Sequence, residues 1–184
     1  MLLYKYGGVY LDIKSSLAKP LDDILQPYDS YILCNWDNQK GGKHEGFGLH
    51  KEVSAIDGGE LQQWHIISAP GSPFLRAVID TVLTNIDLYR PWLHGVGKMG
   101  VLRVTGPIPY TLAISPLRSK YAHRYERNNE ALGLIYSALN SEHKNIFKNH
   151  YSLQTYPVIT SNRMDPFWNL VFSIYKKYMR IHSR

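Results

Sequence analysis

At 184 residues, with 44% hydrophobic and 20% charged positions, the chain has the composition of a single globular domain, large enough to bury roughly 70% of its unfolded surface. Its net charge of +6 favours an anionic partner, but the Lys and Arg residues are scattered singly and no RNA- or DNA-binding motif accompanies them, which argues against nucleic acid. A single cysteine, Cys34, excludes an internal disulfide and a cysteine-built zinc site, and no run approaches the roughly 18–20 apolar residues of a membrane span. With no signal peptide legible either, the expectation is a cytoplasmic chain, or one peripheral at the inner face of a membrane.

The first informative stretch is Leu3-Tyr4-Lys5-Tyr6-Gly7-Gly8-Val9-Tyr10-Leu11-Asp12-Ile13-Lys14. An apolar helix end meets two glycines, which permit a sharp turn with positive φ. Val9, Tyr10 and Leu11 then read as a short buried strand, so Asp12 falls at a strand's carboxyl end, where open α/β sheets bind their ligands. Alternation along that strand predicts that Asp12 and Lys14 point the same way.

Pro20–Leu25 reads as a short helical turn opened by proline, with Asp22 and Asp23 supporting its first turn. Tyr31–Trp36 is a second buried strand that carries Cys34 into the core. Residues 37–60 form a loop rich in Gly, Lys and His that contains His44, Glu45 and His50. Its length inside a compact domain marks it as a functional or a disordered loop, and its glycines suit a lid, while its lone histidines read as solvated. Ile66–Ala69 is a third strand, and His65 beside Trp64 reads as partly buried structure. Ser72 is placed to cap a helix from Pro73 to about Leu88, with Phe74, Leu75, Val78, Ile79, Val82, Leu83 and Ile86 in helical spacing.

Thr105-Gly106-Pro107 marks another helix start. Asn129–Leu139 reads as a helix and Tyr156–Thr160 as a strand. Residues 166–182 read as an amphipathic terminal helix capped by Asp165. Its late cations Lys176, Lys177 and Arg180 complement the helix dipole and also suit contact with anionic lipid headgroups. Strands alternating with helices predict a mixed α/β domain spanning residues 1–184. The 14 Tyr, 4 Trp and 5 Phe suit core packing and sugar faces alike.

Three segments occur together in order: Gly7-Gly8-Val9-Tyr10-Leu11-Asp12, then Ala69-Pro70-Gly71-Ser72-Pro73-Phe74, then Thr105-Gly106-Pro107. Over about residues 1–115 the chain thereby resembles glycosyltransferase family 32, the sugar transferases with a DXD motif related to clostridial glucosylating toxins and fungal mannosyltransferases. The resemblance implies a GT-A-like, Rossmann-like mixed sheet flanked by helices. It also implies retaining transfer of a hexosyl unit from a nucleotide sugar to a hydroxyl of a polysaccharide or glycolipid. By the same resemblance Asp12 orients the donor and contacts a Mn²⁺ or Mg²⁺ ion, and Gly7, Gly8 and Tyr10 lie near the donor. Gln63 or Trp64 faces the donor sugar, Thr105 and Gly106 sit beside the diphosphate, and His150 faintly matches a carboxyl-terminal histidine segment of the family.

The chain departs from the family where Lys14 stands in place of the second aspartate of the motif. A hard divalent cation wants oxygen donors, so an ammonium there disfavours metal and instead suits neutralisation of the departing diphosphate. Only Met1–Tyr6 precede the diglycine, so the chain reads as the later part of such a core, missing the first part of the nucleotide-binding unit. A non-catalytic sugar- or nucleotide-binding module is the competing reading.

Overall fold

The computed structural model describes residues 1–138 and 154–159, together with Leu170, Val171, Ser173, Ile174, Lys177 and Tyr178. Helix α1 (Leu2–Tyr6) ends because Gly7 adopts φ +68°, and Gly8 continues the bend at φ +112° into strand β1 (Gly8–Leu11). A Cβ on Gly7 would come within 2.8 Å of Pro70 Cδ and 2.9 Å of the Ser68 carbonyl oxygen, so both the torsion and the space require glycine.

After β1 come β2 (Ser16–Leu17), a 3₁₀ turn at Leu21–Asp23, β3 (Tyr31–Cys34) and β4 (His65–Ser68). Helices α2 (Pro73–Asp87), α3 (Pro91–His94), α4 (Gly97–Val104) and α5 (Pro107–Ile114) follow, then β5 (Arg124–Glu126) and β6 (Leu134–Ile135). The main sheet has the order β1-β4-β3-β5. β4 is antiparallel to both β1 and β3, and β5 is parallel to β3, so β1, β3 and β5 all deliver their carboxyl ends to one edge.

β3 explains why the sheet is a core element. All four of its residues are buried, and alternation sends them to opposite layers. Tyr31 and Leu33 join Phe74, Leu75, Tyr110 and Ile114 beneath α2 and α5. Ile32 and Cys34 join Ile24, Trp36, Trp64, Ile67, Leu132 and Leu134 on the other face, which is covered by the two-stranded β2–β6 ribbon. The chain is thus a mixed α/β domain with an open mixed sheet and helices packed against it. Among the described residues no helix is long and apolar enough to cross a membrane.

Three local expectations change. The predicted helix over 129–139 is instead one 3₁₀ turn at Glu130–Leu132 followed by β6. Asn129 is fully buried and bonds outside its own turn, accepting from Gln62 Nε2 and donating to the Leu134 carbonyl, which competes with helix continuation. Ser72 occupies the N-cap of α2 but makes no capping bond, and among the described residues its buried hydroxyl has no partner. Residues 156–159 are not a strand, because their backbone bonds to helix and loop: Tyr156 O accepts from Gly97 N at 2.9 Å, and Val158 N donates to Tyr89 Oη at 3.0 Å. In the terminal segment the six described positions are helical, and the remainder of 166–182, Asp165 included, lies outside the described residues.

His65 carries the sharpest internal tension. It is 3% exposed, its ring packs 4.6 Å from that of Trp64, and among the described residues neither ring nitrogen has a hydrogen-bond partner. Burial lowers its pKa from 6.5 to about 4. Between those two values the unfolded chain binds a proton that the folded chain refuses, so stability present above pH 6.5 declines as pH falls and levels out below about 4. The full window corresponds to about 3 kcal/mol. Thermal melts across this range should show the decline in the wild type and a flatter profile in His65→Phe. A second substitution, Gly7→Ala, should cost about 1–3 kcal/mol, read as a lower melting temperature at neutral pH.

Candidate functional site at the carboxyl edge of the sheet

Strand β1 stops at Leu11 because the chain then closes a turn over Asp12–Ser15. Ser15 N donates to the Asp12 carbonyl at 2.8 Å, and Ser15 Oγ donates to the same oxygen at 2.5 Å. Asp12 and Lys14 therefore sit in a turn rather than on one strand face, and the alternation argument for their common direction does not hold. What fixes Asp12 is the neighbouring strand region: its N–H donates to the Trp64 carbonyl at 2.8 Å. Its Oδ1 accepts from the Tyr10 hydroxyl at 2.7 Å. That bond, with some burial and the adjacent negative charge, pushes the Tyr10 phenol up to about 12. Tyr10 itself is 45% exposed, so the pair opens to solvent.

Lys14 is fixed separately. Its Nζ donates to the Tyr136 hydroxyl at 2.9 Å and lies 4.5 Å from the centre of the Tyr136 ring. Its carbonyl accepts from Ala138 N at 2.8 Å. Among the described residues neither Asp12 nor Lys14 belongs to an ion pair. Both are half-buried at the sheet edge.

Tyr136 stands on an aromatic cluster. Its ring meets Trp36 edge-on at 5.0 Å and Trp64 at 5.4 Å, while His44 and Phe47 cover Trp36 at 5.0 and 5.5 Å. The 37–60 loop thus folds against the site. Lys43 Nζ and His44 Nε2 reach Glu130 Oε1 at 3.0 and 3.6 Å, and the Asp37 carboxylate accepts from Lys43 N at 3.0 Å.

Two buried polar chains support the cluster. Trp64 Nε1 donates to Gln62 Oε1 at 3.1 Å, and Gln62 Nε2 donates to Asn129 Oδ1 at 2.9 Å. Trp36 Nε1 donates to Glu60 Oε1 at 2.7 Å, and Glu60 Oε2 lies 3.0 Å from His50 Nε2. Burial raises the Glu60 carboxyl above its ordinary value, against the opposing pull of the Trp36 N–H and His50.

Of the residues singled out from sequence, Tyr10, Asp12 and Lys14 belong to this edge, whereas Gly7 and Gly8 lie at the opposite, amino end of β1, where Gly8 pairs with Ser68. Trp64 is there too, but as a buried wall whose indole is spent on Gln62, with Gln63 half-buried beside it. Thr105 and Gly106 belong to a different element. They join α4 to α5, close to the Val53, Leu102 and Ile108 cluster, and no hydrogen bond among the described residues links them to Asp12, Lys14 or Tyr136. A Cβ on Gly106 would sit 2.7 Å from Leu102 Cα, so close packing of α4 on α5 explains this glycine. His150 lies outside the described residues.

Sequence reasoning missed Tyr136, Trp36, Gln62 and Asn129. Tyr136 fell in a segment read as helix, and its place depends on β6 pairing with β2 across more than a hundred residues, for which no local signal exists. The donor set fits a divalent ion poorly: Asp12 offers one carboxylate, Lys14 a cation, and no group of three His, Cys, Asp or Glu among the described residues is placed to hold a metal.

Removing the Asp12 charge should bring the Tyr10 phenol down from about 12 towards 10, with the tyrosinate absorbance of Asp12→Asn titrating at lower pH than wild type and Tyr10→Phe identifying the transition. No protein-family profile, curated protein or solved structure matches this chain, so its site is read from its own geometry.

Proposed function

We propose that this chain is the sugar-transferring portion of a nucleotide-sugar-dependent hexosyltransferase with a GT-A-like core. It would act with retention on a hydroxyl of a polysaccharide or glycolipid. The observation that carries the reading is the placement of Asp12 at the carboxyl end of β1 with Lys14 two residues on, its ammonium seated on Tyr136 and, among the described residues, not paired with a carboxylate. That edge is where open α/β sheets take ligands. A nucleotide diphosphate needs its growing charge met as the glycosidic bond breaks. A fixed cation over an aromatic ring, half-shielded from water, meets it without reorganising. The net charge of +6 draws an anionic donor in the same direction. The ordered motifs at Gly7–Asp12, Ala69–Phe74 and Thr105–Pro107 add the resemblance to family 32.

In this reading Asp12, held by the Trp64 carbonyl and the Tyr10 hydroxyl, accepts from donor hydroxyls and orients them. Lys14 stabilises the leaving diphosphate, in the role that a metal and second aspartate would share in DXD relatives. A group that stabilises charge only as it develops raises turnover more than affinity. Lys14→Met should therefore lower turnover about 100-fold with a smaller change in donor KM, and Asp12→Asn should weaken both. Wild-type transfer or hydrolysis, followed with a panel of nucleotide sugars, should persist in excess chelator; complete loss there would refute the role given to Lys14. Saturable donor binding without any turnover in the wild type would assign the chain to the binding-module reading instead.

A further inference from the structure

The bond between Lys14 and Tyr136 leaves hydrogens over. An ammonium carries three N–H donors and no lone pair, so across 2.9 Å Lys14 Nζ donates and Tyr136 Oη accepts. That contact consumes one ammonium hydrogen and leaves the phenol's own O–H unused. Among the described residues neither side chain makes a further hydrogen bond, and the ammonium meets no carboxylate. Two side chains bonded to each other therefore present one O–H and two N–H groups together, and both residues are partly exposed.

The hydroxyl is held in place by its surroundings. The Tyr136 ring meets Trp36 at 5.0 Å and Trp64 at 5.4 Å, which restricts its swing. Ser137 then adopts φ +51°, a left-handed backbone that persists in a non-glycine residue only where surrounding contacts over-determine it. Ala138 N reaches the Lys14 carbonyl at 2.8 Å, so main chain and side chain both clamp residues 136–138 to Lys14. An ammonium donating into the phenol oxygen draws charge from it and makes the O–H a stronger donor. One O–H and two N–H groups match the three acceptor oxygens of a phosphate group better than the two of a carboxylate.

We infer that Tyr136 is itself a contact residue for a phosphate group, its hydroxyl donating to one oxygen while the Lys14 ammonium donates to the others. Tyr136 then does more than seat the lysine: it adds a neutral donor that stays fixed as charge builds on the anion. Taking that phosphate to be the leaving diphosphate of a nucleotide sugar rests on the transferase reading above. Phosphate binding by the pair does not.

The test is NMR of the whole chain carrying tyrosine labelled at the ζ-carbon, titrated with inorganic pyrophosphate, UDP, GDP and acetate. Pyrophosphate should bind saturably and move the Tyr136 ζ-carbon resonance, which Tyr136→Phe identifies by its absence. That variant keeps the ring beneath Lys14 and should melt with the wild type, yet bind pyrophosphate about tenfold more weakly. It should also lose about threefold in a Lys14→Met background, where a hydroxyl that acted only by steering the ammonium would cost nothing. UDP or GDP binding more tightly than pyrophosphate assigns the phosphate to a nucleotide, and equal affinity assigns it to the phosphate alone. The inference is overturned if the ζ-carbon is unmoved at saturating pyrophosphate, if Tyr136→Phe binds as tightly as wild type, if its loss vanishes in Lys14→Met, or if acetate binds as well as pyrophosphate. Tyr136-dependent pyrophosphate binding, with neither binding nor turnover of UDP-glucose or GDP-mannose, would sink the transferase reading and leave this one standing. Sugar transfer at an unchanged rate in Tyr136→Phe would do the reverse.

Discussion

The hydrogen bond from the Gln62 carboxamide to Asn129 joins two segments far apart in the chain, and the geometry of the sheet edge follows from it. Both side chains are almost fully buried, where an unpaired amide costs about 1–3 kcal/mol, so each must find partners among its neighbours. Gln62 takes the Trp64 indole as its second partner and Asn129 takes the Leu134 carbonyl. The first bond locks the orientation of Trp64, whose own carbonyl holds the Asp12 amide. The second fixes the entry into β6, which carries Tyr136 to Lys14. One satisfied pair of carboxamides thus sets the positions of both charged groups at the site.

Asp12 and Lys14 are kept from neutralising each other. An ion pair between them would leave little field for an incoming anion, and proximity along the chain would otherwise favour one. The turn closed by Ser15 and the separate partners Tyr10 and Tyr136 give each charge its own seat. Because Tyr136 offers a ring face and a hydroxyl rather than a carboxylate, Lys14 is positioned without being discharged. The aromatic cluster beneath also ties this edge to the 37–60 loop, so events at the loop's Glu60–His50 pair and at the sheet edge share Trp36 as a common member.

Some of this was legible from residues alone. The diglycine bend, the strand that follows it, the doubly buried strand at Tyr31–Cys34, the helix from Pro73 and the helix start after Gly106 all rest on local rules: positive φ, alternation, 3.6-residue spacing and proline at a first turn. Asp12 as an edge residue followed from the same rules. The largest misreading has a single cause. Asn129–Leu139 has adequate helical composition, and only a buried partner at Gln62 turns Asn129 away from a helix.

The amino-acid order by itself determined where the chain bends, which runs are apolar enough to be core, and that a lysine stands two residues after the aspartate of the first strand. Those are properties of neighbours in the chain, set by sterics and periodicity within a few bonds. Tertiary structure alone decided that Asp12 and Lys14 face different partners and that Tyr136 joins Lys14 at the sheet edge. Such outcomes depend on which distant segments share the low-dielectric interior and must satisfy one another's polar groups there, a condition that no local stretch of the chain encodes.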